Sequence, residues 1–594
     1  MRTIKTRHFT GTTDNTVTKR ELDNRKVARR AAAEGMVLLK NEGILPLKEG
    51  TKVALYGVGA SRTIKGGTGS GDVNERETVS IYQGMKNAGF EITTEDWIKD
   101  YDEQYQAARY AWRDEIEKKT ASLEDEVVGF FNVYSTTPFR MPAGASVTKT
   151  DADVAIYILS RVAGEGADRF DEAGDYYLTE EEKKQLADIC GMYKHVIVAV
   201  NTGGLADLSF MDEYKNIEAL LQIVQPGMEA GNAFADIISG KVTPSGKMTD
   251  SWAYKYEDYP NSKTFSHNNG NVDKEYYTEG LYVGYRYFDS FDVPVRYGFG
   301  YGLSYTTFET KVLSTVLKDN KIIVETESTN TGDIYSGKEV VQLYATCPAG
   351  KLEKEYRRLV AFAKTGLLAP GQSEKMTLEI TLDKLTSYNE TEAAWILEKG
   401  SYVFWEGNCL ETSVPCAVLA LDADVTLTKT QNICPLKEEL EEMKQSFEKM
   451  NQKLAALLKD AEERALPVME LKAVDVETRV VEYHSNAECV PTEAREFVDT
   501  LSTEKLVALA SGDPGKGQGS NLGSAGISVP GSAGETNNCA LEDGIPGIVL
   551  SDGPAGLRLM KHYNVYEGKI VNKPFKFSLE GGLFCEGEPA DPGE

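Results

Sequence analysis

The fold is decided by the apolar stretch VAIYIL at residues 154–159, which is followed at once by polar and glycine-rich sequence. Similar apolar runs occur at residues 53–58, 196–200 and 219–224, with helix-like or charged stretches between them. A strand that is covered on both faces reads as a continuous apolar run instead of an alternating one. The alternation of such runs with helical segments therefore predicts an α/β/α sandwich domain with a largely parallel sheet.

This domain is expected to occupy residues 25–311, behind an N-terminal extension of residues 1–24. Residues 23–40 carry apolar side chains three and four positions apart, which predicts an amphipathic helix ahead of the first strand. In open sheets of this kind, ligands bind beyond the carboxyl ends of the strands. We therefore expect a functional site in the loops that follow Val58, Leu159, Val200 and Val224.

The pattern of apolar and polar residues changes in the second half of the chain. Residues 312–425 contain short runs of β-branched and aromatic residues between polar turns, which predicts a β-sandwich of fibronectin type III or immunoglobulin type. Residues 426–489 are predicted to be a helical linker, because apolar residues follow a heptad pattern between Pro435 and Pro467. The pattern fits a linker helix that lies on the body of the protein, and it also fits a coiled-coil contact between subunits.

Composition excludes several classes of partner and cofactor. Lys and Arg number 65 against 92 Asp and Glu, a net charge of −27, so nucleic acid and anionic membranes are poor partners. The eight cysteines show no CxxC spacing, which argues against a disulfide scaffold or a zinc site. The first eight residues have no apolar core, and no stretch reaches the roughly 18 apolar residues of a membrane helix. We expect a cytoplasmic protein with reduced, mostly buried thiols and no metal ion.

The glycine-rich loop at residues 65–72 (KGGTGSGD) is the first candidate site. Bare glycines let backbone N–H groups approach a phosphate, which favours a dinucleotide site. The GxGxG spacing and the distance from the strand end at Val58 argue against that interpretation. An ordered loop that lines another ligand site and a plain surface loop both remain possible.

The second candidate is Glu165, which lies between Gly164 and Gly166 directly after the strand at 154–159. A carboxylate held between glycines at a strand end is accessible to a ligand, and the neighbouring Asp168 and Arg169, together with Arg161, would set its charge state. A general acid needs this exposure and this tuning. A solvated charged turn has the same residue types.

The third candidate is Asp552, which follows an apolar strand and precedes a turn at Gly553 and Pro554. On spacing alone, the favoured interpretation is an Asp that caps the turn.

Taken together, the motifs resemble those of family 3 glycoside hydrolases, above all β-glucosidases, in the variant whose α/β sandwich domain precedes the barrel. The resemblance covers almost the whole chain. Its motifs are EGMVLLKN at 34–41, the loop at 66–72, GEGADR at 164–169, PGMEAG at 226–231, PSGK at 244–247, YVGYRYFD at 282–289 and YGFGYGLSY at 297–305.

The resemblance implies roles for particular residues. Glu165 matches the acid/base carboxylate, Asp552 the Asp that binds hydroxyls of the sugar, and Arg558 a nearby Arg of the same motif. Asp168 and Arg169 would support Glu165, and with Asp552 and Arg558 they would make up the substrate-binding residues. Residues 490–594 would begin a (β/α)₈ barrel, but a full barrel takes about 250 residues. No match to the nucleophile motif is present, so the chain is expected to be truncated early in the barrel.

The implied activity is the removal of non-reducing terminal β-D-glucosyl residues from β-glucosides and cello-oligosaccharides by a retaining two-carboxylate mechanism, without a cofactor. The partner is a small sugar, and a homo-oligomer is possible. Without the nucleophile, we expect this chain to be inactive. The alternatives are a β-xylosidase or other exo-glycosidase of the same family, a non-catalytic carbohydrate-binding remnant, and an oxidoreductase that uses the glycine-rich loop.

Overall fold

The structure is a computed structural model. It describes residues 16–121, 123, 126–165, 168–265, 273–484, 489–511, 529, 532–537, 539–553, 555–559, 564–566, 569–571 and 583–584.

An α/β domain with one mixed sheet occupies the first half of the chain. Its strands are β1 Val37–Asn41, β2 Lys52–Tyr56, β3 Glu91–Ile92, β4 Val154–Ser160, β5 Val196–Asn201 and β6 Ile217–Gln222. The order across the sheet is β1-β6-β5-β4-β2-β3, and every pair is parallel except β1 with β6. β4 and β5 are buried at every position, which confirms that their apolar runs mark strands covered on both faces.

Eight helices are described in this half of the chain. They are α1 Lys19–Gly35, α2 Ile81–Asn87, α3 Glu95–Thr120, α4 Glu126–Thr136, α5 Glu180–Met192, α6 Phe210–Glu213, α7 Ala230–Ile238 and α8 Tyr285–Ser290. Every residue of α7 is buried. A short antiparallel pair, β7 Trp252–Ala253 with β8 Val295–Tyr297, follows the sheet.

The predicted helix at 23–40 is wrong at its carboxyl end. Helix α1 begins after a capping box formed by Thr18 and Glu21, and it ends at Gly35. Residues 37–41 form strand β1 instead, with Leu38 fully buried and paired with Leu221 of β6. The free edge of β6 offers backbone hydrogen bonds and burial on both faces, and this long-range gain overrides the local helical periodicity.

A β-sandwich follows, as the sequence predicts. Its strands are β9 Phe308–Lys318, β10 Lys321–Asn330, β11 Val340–Thr346, β12 Arg358–Lys364, β13 Ser373–Thr381, β14 Ser387–Asn389, β15 Ala394–Leu397, β16 Gly400–Gly407, β17 Val414–Leu421 and β18 Val425–Lys429. The core between its sheets contains Ile322, Leu343, Ile380, Tyr402 and Leu419.

The linker is only partly helical. The helix, α9, spans Phe447–Glu463, because Ser446 caps it by accepting from the Lys449 N–H, and the Met443 N–H donates to the Thr278 carbonyl in the preceding extended segment. Strands β19 Val468–Leu471 and β20 Arg479–Val480 then join the sandwich by parallel pairing with β17 and β18. The prediction of one helix over 436–466 is therefore wrong at its amino end.

Helix α9 lies on the sandwich. Leu454 and Ala461 are buried against Val403 and Val418, and Met450 is buried on the same helix. This contact agrees with the first interpretation of the heptad pattern, a linker helix that lies on the body of the protein.

Residues 490–594 are described only in parts. These parts contain helices α10 Thr492–Val498 and α11 Thr503–Ser511, and strands β21 Gly534–Glu535, β22 Val549–Leu550, β23 Asn564–Tyr566 and β24 Lys569–Val571. The strands form two antiparallel pairs, β21 with β22 and β23 with β24. Within these described parts no strands pair in parallel, so the beginning of a barrel stays a prediction.

The cysteines differ in how deeply they are buried. Cys347, Cys409 and Cys416 are buried free thiols, Cys190 is half-buried, and Cys434, Cys489 and Cys539 are exposed, so burial is less general than expected. Cys585 lies outside the described residues. No helix among the described residues is both long and apolar enough to cross a membrane.

Candidate active site

A cleft of about 480 Å³ lies at the carboxyl edge of the parallel strands. Its floor and walls come from residues 62–74 of the loop after β2, from residues between the end of β4 and the start of α5, from helix α3 and from residues 138–141. Clefts of a few hundred Å³ are typical of small-ligand sites, and this edge is where the parallel sheet predicts one.

Asn201, the last residue of β5, ties the loops of this edge together. Its side chain accepts from the Ile64 N–H at 2.7 Å and the Ser160 hydroxyl at 2.9 Å, and it donates to the carbonyls of Ile64 at 2.9 Å and Val224 at 2.7 Å. Its backbone carbonyl accepts from the Arg161 N–H. The side chain is fully buried, so this one residue fixes the loops after β2, β4 and β6 relative to one another.

The glycine-rich loop packs directly against the loop of Glu165. The Glu165 N–H donates to the Thr68 carbonyl at 3.1 Å. A Cβ at Gly67 would lie 2.4 Å from the Ala163 carbonyl oxygen, and one at Gly164 would lie 2.1 Å from the Thr68 nitrogen. The glycines therefore serve the close approach of two protein loops, which removes the reason for expecting a dinucleotide phosphate there.

Glu165 is an exposed residue that lines the cleft. Its side chain lies against Gly69, where a Cβ would come within 2.5 Å of Oε2, and Gly69 has φ +85°. The bare, left-handed glycine thus leaves room for the carboxylate at the mouth of the cleft. Asp168 lines the same cleft and is also exposed, whereas Gly166 lies outside the described residues.

The Arg169 guanidinium bonds to its own loop and to the loop after β5. It bonds to the Asp175 carboxylate and donates to the Thr202 hydroxyl at 3.2 Å and the Leu205 carbonyl at 3.0 Å. Burial raises the pKa of Asp175, but the Phe170 N–H, Arg169 and Arg140 together outweigh burial and leave that pKa below its ordinary value. Arg169 and Asp175 therefore form a charged pair that shapes the loop beside Glu165.

Arg161 also has a partner other than Glu165. Its guanidinium forms two hydrogen bonds of 2.7 Å with the carboxylate of Glu182, and both side chains are buried. The sequence interpretation of Arg161 did not include this partner, and an effect of Arg161 on the charge of Glu165 stays a prediction. Glu182 was not singled out from the sequence, although the Thr179–Glu182 capping box that starts α5 was a readable signal.

The segment that contains Asp552 docks on the loop that also contacts Glu165. The Arg558 N–H donates to the Asp552 carbonyl at 3.0 Å, and Arg558 Nε donates to the Asp72 carbonyl at 3.1 Å. Asn74 donates to the Leu559 carbonyl at 3.0 Å. Arg558 is 7% exposed and Asp552 is half-buried. Residues 69–74 therefore contact Glu165 at one end and the Asp552–Arg558 turn at the other.

Among the described residues, no group of three His, Cys, Asp or Glu side chains is placed to hold a metal ion.

Two family models match the chain. Residues 36–285 match the glycosyl hydrolase family 3 C-terminal domain, and residues 339–408 match a fibronectin type III-like domain. The first match contains Glu165 and the glycine-rich loop, and the second lies inside the β-sandwich.

Individual relatives extend the similarity over most of the chain. The chain is 32% identical to β-glucosidase A of Butyrivibrio fibrisolvens over 90% of this chain and 69% of that protein. It is 31% identical to a β-glucosidase of Ruminococcus albus over 95% of this chain and 58% of that protein. A solved β-glucosidase structure from Paenibacillus barengoltzii superposes with a TM-score of 0.70 at 28% identity, covering 90% of this chain and 58% of that one. The structure of β-glucosidase 3B from Thermotoga neapolitana in complex with α-D-glucose superposes with a TM-score of 0.57 at 34% identity. It covers 68% of this chain and 55% of that one.

The chain therefore spans between about half and two thirds of the length of these relatives. Its motifs, its two matched domains and its identity over almost its whole length agree with one another. The chain belongs to glycoside hydrolase family 3.

Proposed function

We propose that this chain carries the acid/base half of a retaining β-glucosidase, which removes terminal β-D-glucosyl residues from β-glucosides and cello-oligosaccharides. The observation that carries the proposal is the placement of Glu165. Its exposed carboxylate lines the cleft at the carboxyl edge of the sheet, on a loop that is held by Thr68 and Asn201. The β-glucosidase relatives support the choice of reaction and sugar.

In the proposed mechanism, Glu165 gives its proton to the glycosidic oxygen as the bond to the sugar breaks. It then accepts a proton from the water that releases the sugar. A second carboxylate, about 5–5.5 Å away, attacks the anomeric carbon and holds the sugar covalently between the two steps. Asp552 would bind sugar hydroxyls, and Arg558 would hold the Asp552 turn against Asp72.

The remaining loop residues would act on the position of Glu165. Arg169 is bound to Asp175 and would keep the loop in shape, and Asp168 shares the cleft with the acid. None of these roles requires a cofactor.

We propose that the second carboxylate belongs to a barrel that follows residue 490, so that the domain order is inverted. The support is that a model named for a C-terminal domain matches residues 36–285, ahead of the fibronectin-like match at 339–408. We further propose a cytoplasmic site of action, in keeping with exposed free thiols at Cys434, Cys489 and Cys539.

The test is turnover and stereochemistry with 4-nitrophenyl β-D-glucoside. The 594-residue chain should show little or no turnover, because the covalent step lacks its nucleophile. A longer protein that includes a complete barrel should release β-glucose first, as followed by proton NMR of the anomeric signal. First release of α-glucose would contradict the retaining mechanism, and glucose binding without turnover in the longer protein would favour a non-catalytic remnant.

A further inference from the structure

A groove of about 560 Å³ lies where the α/β domain meets the β-sandwich, and the proposed chemistry does not use it. Its walls come from one face of α1, from residues between 240 and 245 after α7, and from two sandwich loops that contain Ile334 and Leu367. Among the residues that the structure describes, the groove shares none with the cleft beside Glu165. A groove of this size is large enough for a small ligand.

One face of α1 gives the groove its positive charge. Lys26, Arg29, Arg30, Ala33 and Glu34 recur at intervals of three and four residues, so they lie along one side of the helix. Like charges at positions i and i+4 destabilise a helix, and Lys26 and Arg30 are such a pair. The Arg30 side chain is exposed, and no ion pair or hydrogen bond of its guanidinium is found within the described part of the chain. This charge is therefore available to an anion in the groove.

The two carboxylates that line the groove each pair with two cations. The pairs are Asp236 with Arg29 at 2.7 Å and Lys241 at 3.3 Å, and Glu34 with Lys338 at 2.6 Å and Lys364 at 3.1 Å. Lys26 has Asp23 as a partner at 3.1 Å, whereas Arg30 adds a further positive charge. The whole chain has a net charge of −27, so the groove is a local reversal of sign that attracts anions.

The lysines behind the groove are crowded. Burial lowers the pKa of Lys364, and although Glu34 acts in the opposite direction, the charges of Lys338 and Lys247 lower that pKa further. One carboxylate therefore does not offset the positive charges around it. An anion bound in the groove would reduce this repulsion.

A buried hydroxyl offers a hydrogen bond to the same ligand. Ser245 lines the groove and is only 5% exposed. No hydrogen bond of its hydroxyl is found among the described residues. A buried polar group without a protein partner costs free energy unless water or a ligand satisfies it. Thr243 and Ser336 line the groove as well, so hydroxyls lie beside the cations.

The turn that presents Lys241 is fixed by the end of α7. Gly240 has φ +73°, and a Cβ there would come within 2.8 Å of the Pro46 side chain. The Val242 N–H donates to the Asp236 carbonyl at 2.9 Å and closes the turn. The left-handed glycine thus ends the helix and places Lys241 at the groove.

The sandwich supplies an apolar wall that is also held in place. Asn330 is fully buried, and its side chain donates to the carbonyls of Tyr335 and Leu368, both at 2.9 Å. These bonds fix the two loops that carry Ile334 and Leu367. Ile334 is 77% exposed and Leu367 is 63% exposed, so both present apolar surface to a ligand.

We propose that the groove is a binding site for a phosphate monoester that carries an apolar group. A phosphate monoester has a charge of about −1.5 to −2 at pH 7 and several acceptor oxygens, which suits arginine, lysine and hydroxyl donors better than a single carboxylate does. The phosphate then binds Arg30, Lys241 and Ser245, and the apolar group lies on Ile334 and Leu367. The site does not depend on the proposed β-glucosidase activity.

The experiment measures binding of phenyl phosphate, inorganic phosphate and benzoate to the 594-residue chain by calorimetry at low ionic strength. Phenyl phosphate should bind about tenfold more tightly than either of the others, because it alone combines a dianion with an apolar ring. Arg30→Gln should weaken both phosphates by about 3–10-fold. Leu367→Ser should weaken phenyl phosphate by about 3–10-fold and leave inorganic phosphate within about twofold. Arg20→Gln, at an exposed position of the same helix, is the matched control and should change neither.

Ser245→Ala provides a second measurement. It removes a hydroxyl that has no partner in the protein, so phosphate binding should weaken by about 3–10-fold while the melting temperature does not fall. Failure of phenyl phosphate to bind, or equally tight binding of benzoate, would overturn the proposal. Unchanged affinities in both Arg30→Gln and Leu367→Ser would place any bound phosphate elsewhere and would overturn it too. An equal loss in Arg20→Gln and Arg30→Gln would show a general effect of charge in place of a site.

Discussion

The two edges of the α/β sheet are built from the same strands but differ in their connections. At the amino edge, residues 193–195 join α5 to β5, and residues 214–216 join α6 to β6. At the carboxyl edge, residues 57–80 join β2 to α2, and residues 161–179 join β4 to α5. The turns before β5 and β6 are too short to form a cleft, whereas the long loops after β2 and β4 form one.

An asparagine lies at each edge, Asn201 fully buried at the carboxyl edge and Asn216 half-buried at the amino edge, and their hydrogen bonds differ in number. Asn216 donates to the carbonyls of Cys190 and Tyr193, both at 2.8 Å, and so closes a single turn. Asn201 makes four side-chain hydrogen bonds that join three loops, two of which meet at Glu165. Asn216 therefore stabilises one turn, whereas Asn201 holds the loops of the cleft in place.

The largest expected effect comes from removing the proton of Glu165. In a protein that carries both carboxylates, Glu165→Gln should slow hydrolysis of glucosides with poor leaving groups by about 10²–10⁴-fold, because general acid catalysis contributes that much. Nitrophenyl glucosides should lose far less, since their leaving group barely needs protonation. The measurement is kcat/KM for a series of leaving groups.

The matched control lies at the amino edge. Glu218 contacts His195 Nδ1 at 2.9 Å and is half-buried. Glu218→Gln should leave the dependence on the leaving group unchanged. If Glu165→Gln slows all substrates by the same factor, Glu165 is a turn residue and Asp168 becomes the next candidate for the acid.

The second expected effect concerns the buried pair at the carboxyl edge. Arg161→Met strands the Glu182 carboxylate in the interior, so the free energy of unfolding should fall by about 3–5 kcal/mol. Lys52 pairs with Asp151 at the amino edge with both side chains exposed, so Lys52→Met should change stability little. Urea unfolding of both variants tests this, and similar losses for the two would show that burial of the pair is unimportant.

The third expected effect separates the two asparagines. Asn201→Ala leaves buried groups of Ile64 and Val224 without partners and should cost about 3 kcal/mol, whereas Asn216→Ala should cost about 1–2 kcal/mol. Hydrogen exchange should accelerate at Ile64, Arg161 and Glu165 in Asn201→Ala alone. Acceleration at these amides in Asn216→Ala would mean that both edges respond as one unit.

The smallest expected effect concerns a buried carboxylate in the sandwich and tests whether burial there changes stability, as it should for the buried pair beside the sheet. Burial and the nearby Glu339 raise the pKa of Glu406 on β16 to about 7. The folded protein therefore holds this proton more tightly than the unfolded chain does. Stability is fully present below about pH 4.5 and is lost as the pH rises to about 7, by on the order of 2 kcal/mol.

Glu406→Gln should remove this pH dependence and stabilise the protein at pH 8. Unfolding midpoints between pH 4 and pH 8 provide the measurement. Glu325→Gln, at an exposed position of β10, serves as the control. An unchanged slope in Glu406→Gln would show that another group titrates in this range.

Sequence patterns identified the strands of the central sheet because burial on both faces leaves a continuous apolar run, as in β4 and β5. They also marked Glu165 and Asp552, since a polar residue beside glycine at a strand end stands out locally. The patterns failed where a distant partner decides. Residues 37–41 have helical periodicity but pair with β6, and Arg161 follows β4 next to candidate carboxylates but bonds to Glu182 of α5.

By itself, the sequence determined the α/β and sandwich domains, the family motifs and the identity of the candidate acid, because these depend on residue types at short spacing. Only the tertiary structure decided which charges are paired, that Asn201 joins three loops, and that α3 lines the cleft. These features arise from contacts between residues far apart in the chain. Their energies depend on burial and geometry, which no local pattern contains.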